Sequence, residues 1–176
     1  KRVDITIVRV KDEKQIAGIG VKYILSSYGK NSNNYFENML GETANIRSNN
    51  IPYFQVIILP TSIPVFSKNA NGVDTVNSVE KLKPSTHLYK YEQLSKDNAL
   101  TYFHTPIKTL LLTIEHGLIE TQIVNLTKKD YQDYSKKNAV ITLDDSIKIE
   151  FDNSLIHNKY DLFLDKISFL VQGLDW

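Results

Sequence analysis

Four charged side chains near the start of the chain, Asp4, Lys22, Glu37 and Glu42, are of the types that hydrolyse a phosphodiester with a divalent cation. Two or more carboxylates hold such an ion, and an ammonium group steers the attacking hydroxide and stabilises the charge that develops on phosphorus. Lys22 stands inside an otherwise apolar run, Ile16 to Leu25, where a lysine must either snorkel or pair with an acid. A second acid–lysine group, Asp12-Glu13-Lys14, falls on a polar break and reads as a turn whose side chains splay into solvent.

Those residues need elements to bring them together. Val3 to Val10 is rich in β-branched residues and Ile16 to Leu25 is again β-prone, so the two form a hairpin about Asp12-Glu13. Antiparallel partners then sum to about 25, which sets Asp4 opposite Val21 and beside Lys22. Gly20 shares a face with Lys22, and the expectation is that a glycine there leaves room for a metal-bound water or a phosphate to reach the backbone. The hairpin offers one carboxylate, and the next helix supplies Glu37 or Glu42. That helix is predicted over Asn33 to Arg47, capped by Asn31 or Ser32, with Tyr35, Phe36, Met39, Leu40, Thr43 and Ile46 as its core stripe. Asn31, Asn33 and Asn34 serve equally as helix cap or as amide donors to DNA phosphates and base edges.

Further along, Pro52 to Leu59 reads as a buried strand closed by Pro60, and Thr61 to Phe66 as a short edge strand. Residues 67–85 lack steady periodicity and read as a long loop, within an insertion over about 67–100 that also holds the basic and aromatic cluster of Lys81, Lys83, His87, Tyr89, Lys90 and Tyr91. Lys108 to Glu115 is expected as a central strand and Thr127 to Lys136 as a solvated helix. Ala139 to Leu143, Ser146 to Phe151 and Asp161 to Val171 are expected as strands, the first two joined at Asp144-Asp145. The result is one α/β domain over 1–176, a mixed central sheet flanked by helices, with its chemistry in about the first 60 residues.

Asp4, then Gly20-Val21-Lys22, then the run from Ser26 to Glu37 (SSYGKNSNNYFE) resemble the active-site block of type II restriction endonucleases of the PD-(D/E)XK superfamily. The subgroup most similar replaces the acid two before the lysine by serine and restores it with a glutamate on the following helix, at a spacing that Glu37 matches. Met39 to Arg47 resembles the continuation of that helix. The likeness spans about residues 3 to 59 and departs at Val3, where the family has proline, and at Gly20, where the subgroup has serine. The resemblance implies a restriction-endonuclease-like fold and Mg²⁺-dependent, site-specific hydrolysis of duplex DNA. Asp4, Lys22 and Glu37 would be catalytic, and Asp4 with Glu37 or Glu42 would hold the ion. Lys30, Asn31, Asn33, Asn34 and Lys90 are the expected DNA contacts. It further implies a homodimer, since a palindromic site is cut on both strands, and elements ahead of the Asp4 strand, so that N-terminal elements are expected to be lacking here. The alternatives are a non-catalytic DNA-binding or structural remnant, and a nuclease of repair or recombination.

Composition narrows the setting without choosing the chemistry. No cysteine excludes disulfides and thiolate-held metals and suits a reducing, cytoplasmic compartment. No run approaches the length of a membrane span, and Lys1-Arg2 leads into an alternating strand instead of a signal-peptide core. A formal charge of +1 neither demands nor excludes nucleic acid. The four histidines, His87, His104, His116 and His157, show no pair at metal-ligand spacing and are expected to be structural.

Overall fold

A computed structural model describes residues 3–99, 101–147 and 154–173. Strand β1 (Ile5–Arg9) turns at Asp12 and Glu13 into β2 (Lys14–Tyr23). The turn behaves as its composition predicts: Asp12 accepts the Lys14 N–H and pairs with Arg9, which holds the Asp12 carboxyl down at about 2, and Glu13 takes φ 55°. Ile5 pairs with Ile19 and Ile7 with Ala17, a sum of 24, before a bulge shifts Val8 onto Gln15. The expected sum of 25 is thus one residue off at the open end and two off beside the turn, where Val8 pairs with Gln15, and the bulge at Ile16 makes the step between them.

Helix α1 spans Tyr28–Arg47 and starts five residues before the expected Asn33. Asn31 and Ser32 are not its caps; they lie inside it, bonding back to the Ser27 and Gly29 carbonyls. The start is set by Ser27 at φ 50° and by a distant acid, Glu80, which accepts the Gly29 N–H at 3.0 Å. A Cβ at position 29 would lie 2.1 Å from that carboxylate, so any larger residue would displace the Glu80 side chain from its present place. Met39, Thr43 and Ile46 are buried on the sheet as expected. At the far end the buried Arg47 guanidinium donates to the Tyr102 and Thr105 carbonyls, closing the helix onto the loop before the central strand.

Strand β3 (Tyr53–Pro60) runs parallel to β2 and to the later β6 (Lys108–Glu115), the central strand read from the sequence. Between them the chain is ordered, and the long loop expected over 67–85 is corrected: β4 (Ser62–Lys68) and β5 (Asp74–Lys81) form a separate antiparallel hairpin. Val76 and Val79 bring enough apolar surface to pack β5 despite its Asn and Asp residues. A π-helical turn (Pro84–Leu88) and α2 (Tyr89–Ser95) follow and pack beside α1. After β6 come a single turn α3 (Glu120–Ile123) and α4 (Lys128–Asn138), the expected solvated helix, capped by Thr127.

The tail departs most from expectation. Only β7 (Thr142–Leu143) survives of the first strand, Ser146 and Ile147 are not strand, and 148–151 of the second lie outside the described residues. Strand β8 (Leu155–His157) joins β6 in parallel. Asp161 to Val171 is not a strand but α5 (Tyr160–Gln172). Phe163, Ile167, Leu170 and Val171 recur at helical spacing and cover one face of the sheet.

The main sheet therefore runs β1-β2-β3-β6, with β7 and β8 sharing the outer edge of β6, mixed in direction and flanked by helices on both faces. Among the described residues no helix is long and apolar enough to cross a membrane.

Candidate active site

Alternation along β2 and β3 sends Gly20, Lys22, Tyr53, Gln55 and Ile57 to the face covered by α1. Lys22 extends from β2 to Glu42 on α1, its ammonium 2.9 Å from Oε1 and 2.8 Å from Oε2. Glu42 is half-buried, on the side of the helix that also buries Met39 and Ile46. Asp4 sits just ahead of β1, exposed, and accepts the Val21 N–H at 2.7 Å, which fixes it one residue from Lys22. Three elements thus bring Asp4, Lys22 and Glu42 to one end of the hairpin.

Glu37 is not brought there. Five positions along an α-helix amount to a rotation of roughly 140°, and Glu37 is exposed, with no hydrogen bond or ion pair among the described residues. Glu37 was favoured by its distance along the chain from Lys22, matched to the resembled subgroup, and not by the face of the helix it occupies. The acid that α1 turns to the sheet is Glu42, which meets Lys22.

Beneath this group lies a polar pair that the sequence reading passed over. Tyr53 is 1% exposed and Gln55 fully buried, in a run that is otherwise apolar. The Tyr53 hydroxyl donates to Gln55 Oε1 at 3.1 Å, and Gln55 Nε2 donates to the Gly20 carbonyl at 3.1 Å. Burial, and after it the charges of Glu42 and Asp4, push the Tyr53 hydroxyl well above the ordinary phenol range, so both acids act on one buried phenol. The signal in the sequence was a glutamine in the middle of Tyr-Phe-Gln-Val-Ile-Ile-Leu, since a buried amide has to be bonded.

The same pair corrects the expected role of Gly20. A Cβ there would stand 1.9 Å from the Tyr53 hydroxyl and 3.2 Å from Gln55 Oε1. The room left by the glycine is taken by these side chains, not held open for a phosphate, because parallel pairing sets Gly20 directly beside Gln55.

The expected DNA contacts separate. Lys90 donates to Asn33 and lies 5.5 Å from the centre of the Phe36 ring, so two of them join α2 to α1. Asn31 donates to the Ser27 carbonyl, while Lys30 and Asn34 are exposed on α1. The histidines hold the fold together: His87 accepts the Lys83 N–H and faces Glu80, His104 faces Asp97, His116 meets the Tyr23 hydroxyl at 2.7 Å and His157 meets Thr113 at 2.8 Å. Among the described residues no group of three or more histidine, aspartate or glutamate side chains is placed to hold an ion. Among the described residues Glu42 is the carboxylate paired with Lys22, and Asp4 binds the amide of the neighbouring Val21.

Compared with protein-family models, curated proteins and solved structures, the chain shows no match in any of the three.

Proposed function

We propose that the chain carries the catalytic core of a Mg²⁺-dependent endonuclease of restriction type, which hydrolyses phosphodiester bonds of duplex DNA at a specific site. Asp4 and Glu42 hold the cation in this reading, and Lys22 faces the attacking water. The observation that carries it is the meeting of an acid from the head of β1, a lysine from β2 and an acid from α1 at one end of a hairpin. The order of these elements, hairpin, helix and parallel strand, supports a restriction-endonuclease-like fold. Such an enzyme works in the cytoplasm as a homodimer on a symmetric site.

The donor set suits Mg²⁺ in kind and number, because this ion keeps several waters and takes one or two carboxylates, completed by phosphate oxygens. When bound there, it would neutralise phosphate charge and lower the pKa of a coordinated water. The chain's own residues do the rest. Asp4 is oriented by the Val21 amide, and the Lys22 ammonium, released from part of its contact with Glu42, holds the water in line and meets the charge growing on phosphorus.

Cleavage of supercoiled plasmid with and without Mg²⁺ tests the proposal. Wild type is expected to cut only with the metal, and Lys22→Ala to lose about a hundredfold or more of the rate, the size of one lost charge-stabilising donor. Cutting that is indifferent to Lys22→Ala would overturn the site. One observation favours a second reading, a non-catalytic DNA-binding remnant: both Glu42 oxygens are within hydrogen-bonding reach of Lys22, a closed pair that needs no cation. DNA binding without cleavage at any metal concentration would select it. Cutting without sequence preference would favour a repair or recombination nuclease.

A further inference from the structure

We infer that a cavity at the carboxyl end of β6 binds a small zwitterion, an α-amino acid with a short aliphatic side chain. The inference stands apart from the nuclease reading, because Asp4, Lys22 and Glu42 do not line this cavity. Open α/β sheets bind their ligands beyond the carboxyl ends of parallel strands. Here that space is bounded by the β4–β5 hairpin and by the chain that leaves β6 at His116, Gly117 and Leu118. Its volume is about 210 Å³. Sites for drug-sized molecules measure roughly 300–1,000 Å³, so the occupant is smaller than these.

Register fixes what the hairpin contributes. Ser62 pairs with Lys81 and Pro64 with Val79, so alternation turns these four to one side, while Ile63 and Glu80 turn towards α1. The four all line the cavity. Lys81 therefore brings an ammonium, with Ser62 directly across the ladder from it. The chain after β3 and β5 is thus the cationic part of the lining, and Glu115 and Glu120 are the anionic part. Among the described residues neither acid, nor Lys81, makes an ion pair or a side-chain hydrogen bond. Opposite charges that share a cavity without meeting leave a place for a molecule that carries both. A lone anion would face two carboxylates, and a lone cation would face the lysine.

His116 lines the same cavity and is only 9% exposed. Its Nε2 meets the Tyr23 hydroxyl, and its Nδ1 has no partner among the described residues. Burial lowers the pKa of the ring and raises that of the phenol, so both are neutral. No sealed side-chain nitrogen among the described residues lacks a partner, so Nδ1 is open, and the opening beside this ring is the cavity. In either tautomer Nδ1 offers one bond, a hydrogen to a carboxylate or a lone pair to an ammonium. A nitrogen held in place by its buried ring and left open loses little on binding. Val79, Leu118 and Ile123 add apolar lining, which suits an aliphatic side chain.

Isothermal titration calorimetry of the protein tests each part. The probes are L-valine, isovalerate, which lacks its ammonium, and isobutylamine, which lacks its carboxylate. L-valine is expected to bind about tenfold or more tightly than either analogue, the size of one charge-assisted hydrogen bond. Lys81→Met is expected to bring L-valine down to the level of the amine. Glu115→Gln combined with Glu120→Gln is expected to bring it down to the level of isovalerate. All three positions are exposed, so the fold is kept.

An analogue that binds as tightly as L-valine overturns the inference, as does an L-valine affinity unmoved by one or other variant. So does the absence of L-valine binding. The two readings fail separately: plasmid cleavage without amino-acid binding keeps the nuclease and loses the cavity, and binding without cleavage does the reverse.

Discussion

The two faces of the main sheet are built on opposite principles. Under α5 the layer is largely apolar, with Ala17, Ile19, Phe54, Leu110 and Ile156 packed against Phe163 and Ile167 and the half-buried Lys108 at its end. Under α1 the same strands present Gly20, Lys22, Tyr53 and Gln55 beside Ile57 and Leu59. Each buried polar group there has a partner, and no buried side-chain nitrogen or oxygen among the described residues is left without one. Burying polar groups costs free energy even when they are bonded, and apolar groups of the same shape are often as stable or more so. One face therefore supplies cohesion, and the other gives some of it up to hold charged groups in fixed positions.

The contrast breaks most visibly at Phe163. Phe163→Ala removes a ring that is 1% exposed and should lower unfolding free energy by about 3–5 kcal/mol in urea titration. A cost under 1 kcal/mol would mean that the α5 layer is not the cohesive one. On the other face Glu42→Gln should leave the urea midpoint near wild type and reduce plasmid cleavage by roughly a hundredfold. An equal loss of stability and activity would erase the distinction between the faces.

Gly20→Ala probes the crowding over the polar layer. The added methyl meets the Tyr53 hydroxyl, and the expected cost is about 1–3 kcal/mol by thermal melting. Combining it with Tyr53→Phe, which removes that oxygen, should recover part of the loss; strict additivity of the two changes would show that they do not collide. The smallest effect belongs to Glu37→Gln, expected within about 0.5 kcal/mol of wild type in stability, as for any surface substitution, and with cleavage unchanged. A large loss of cleavage in Glu37→Gln would return the acid's role to the position first suggested by spacing.

How far the sequence could be read follows from the range of the forces at each place. The β1–β2 hairpin and the strand at Lys108–Glu115 were legible because β-branched runs bounded by polar breaks carry their signal locally. Helix α1 was legible in its stripe but not at its start, since the group that caps it is Glu80. At the site, counting from Lys22 along the chain pointed to Glu37, whereas the partner of Lys22 is set by the face of α1 that packs on the sheet, which carries Glu42. Helix α5 was misread because Leu162, Leu164 and Phe169 are apolar yet exposed and blur the helical period. Strand β4 was read from Thr61 to Phe66, but its partner β5 was hidden by the opposite effect, few apolar residues among Asn, Asp and Ser. Tyr53 and Gln55 were unremarked because their meaning depends on Gly20, which only the parallel pairing brings alongside.

The carboxylate of Glu80 at the head of α1 also bears on the order in which the molecule comes together. Gly29 and Glu80 are 51 residues apart, so the first turn of the helix is tied to the β4–β5 hairpin across β3. Such non-local contacts carry the entropy of a long loop and form late in folding. The helix bearing Glu42 thus holds its first turn by a tertiary contact, at a loop-closure cost that a local cap would not carry.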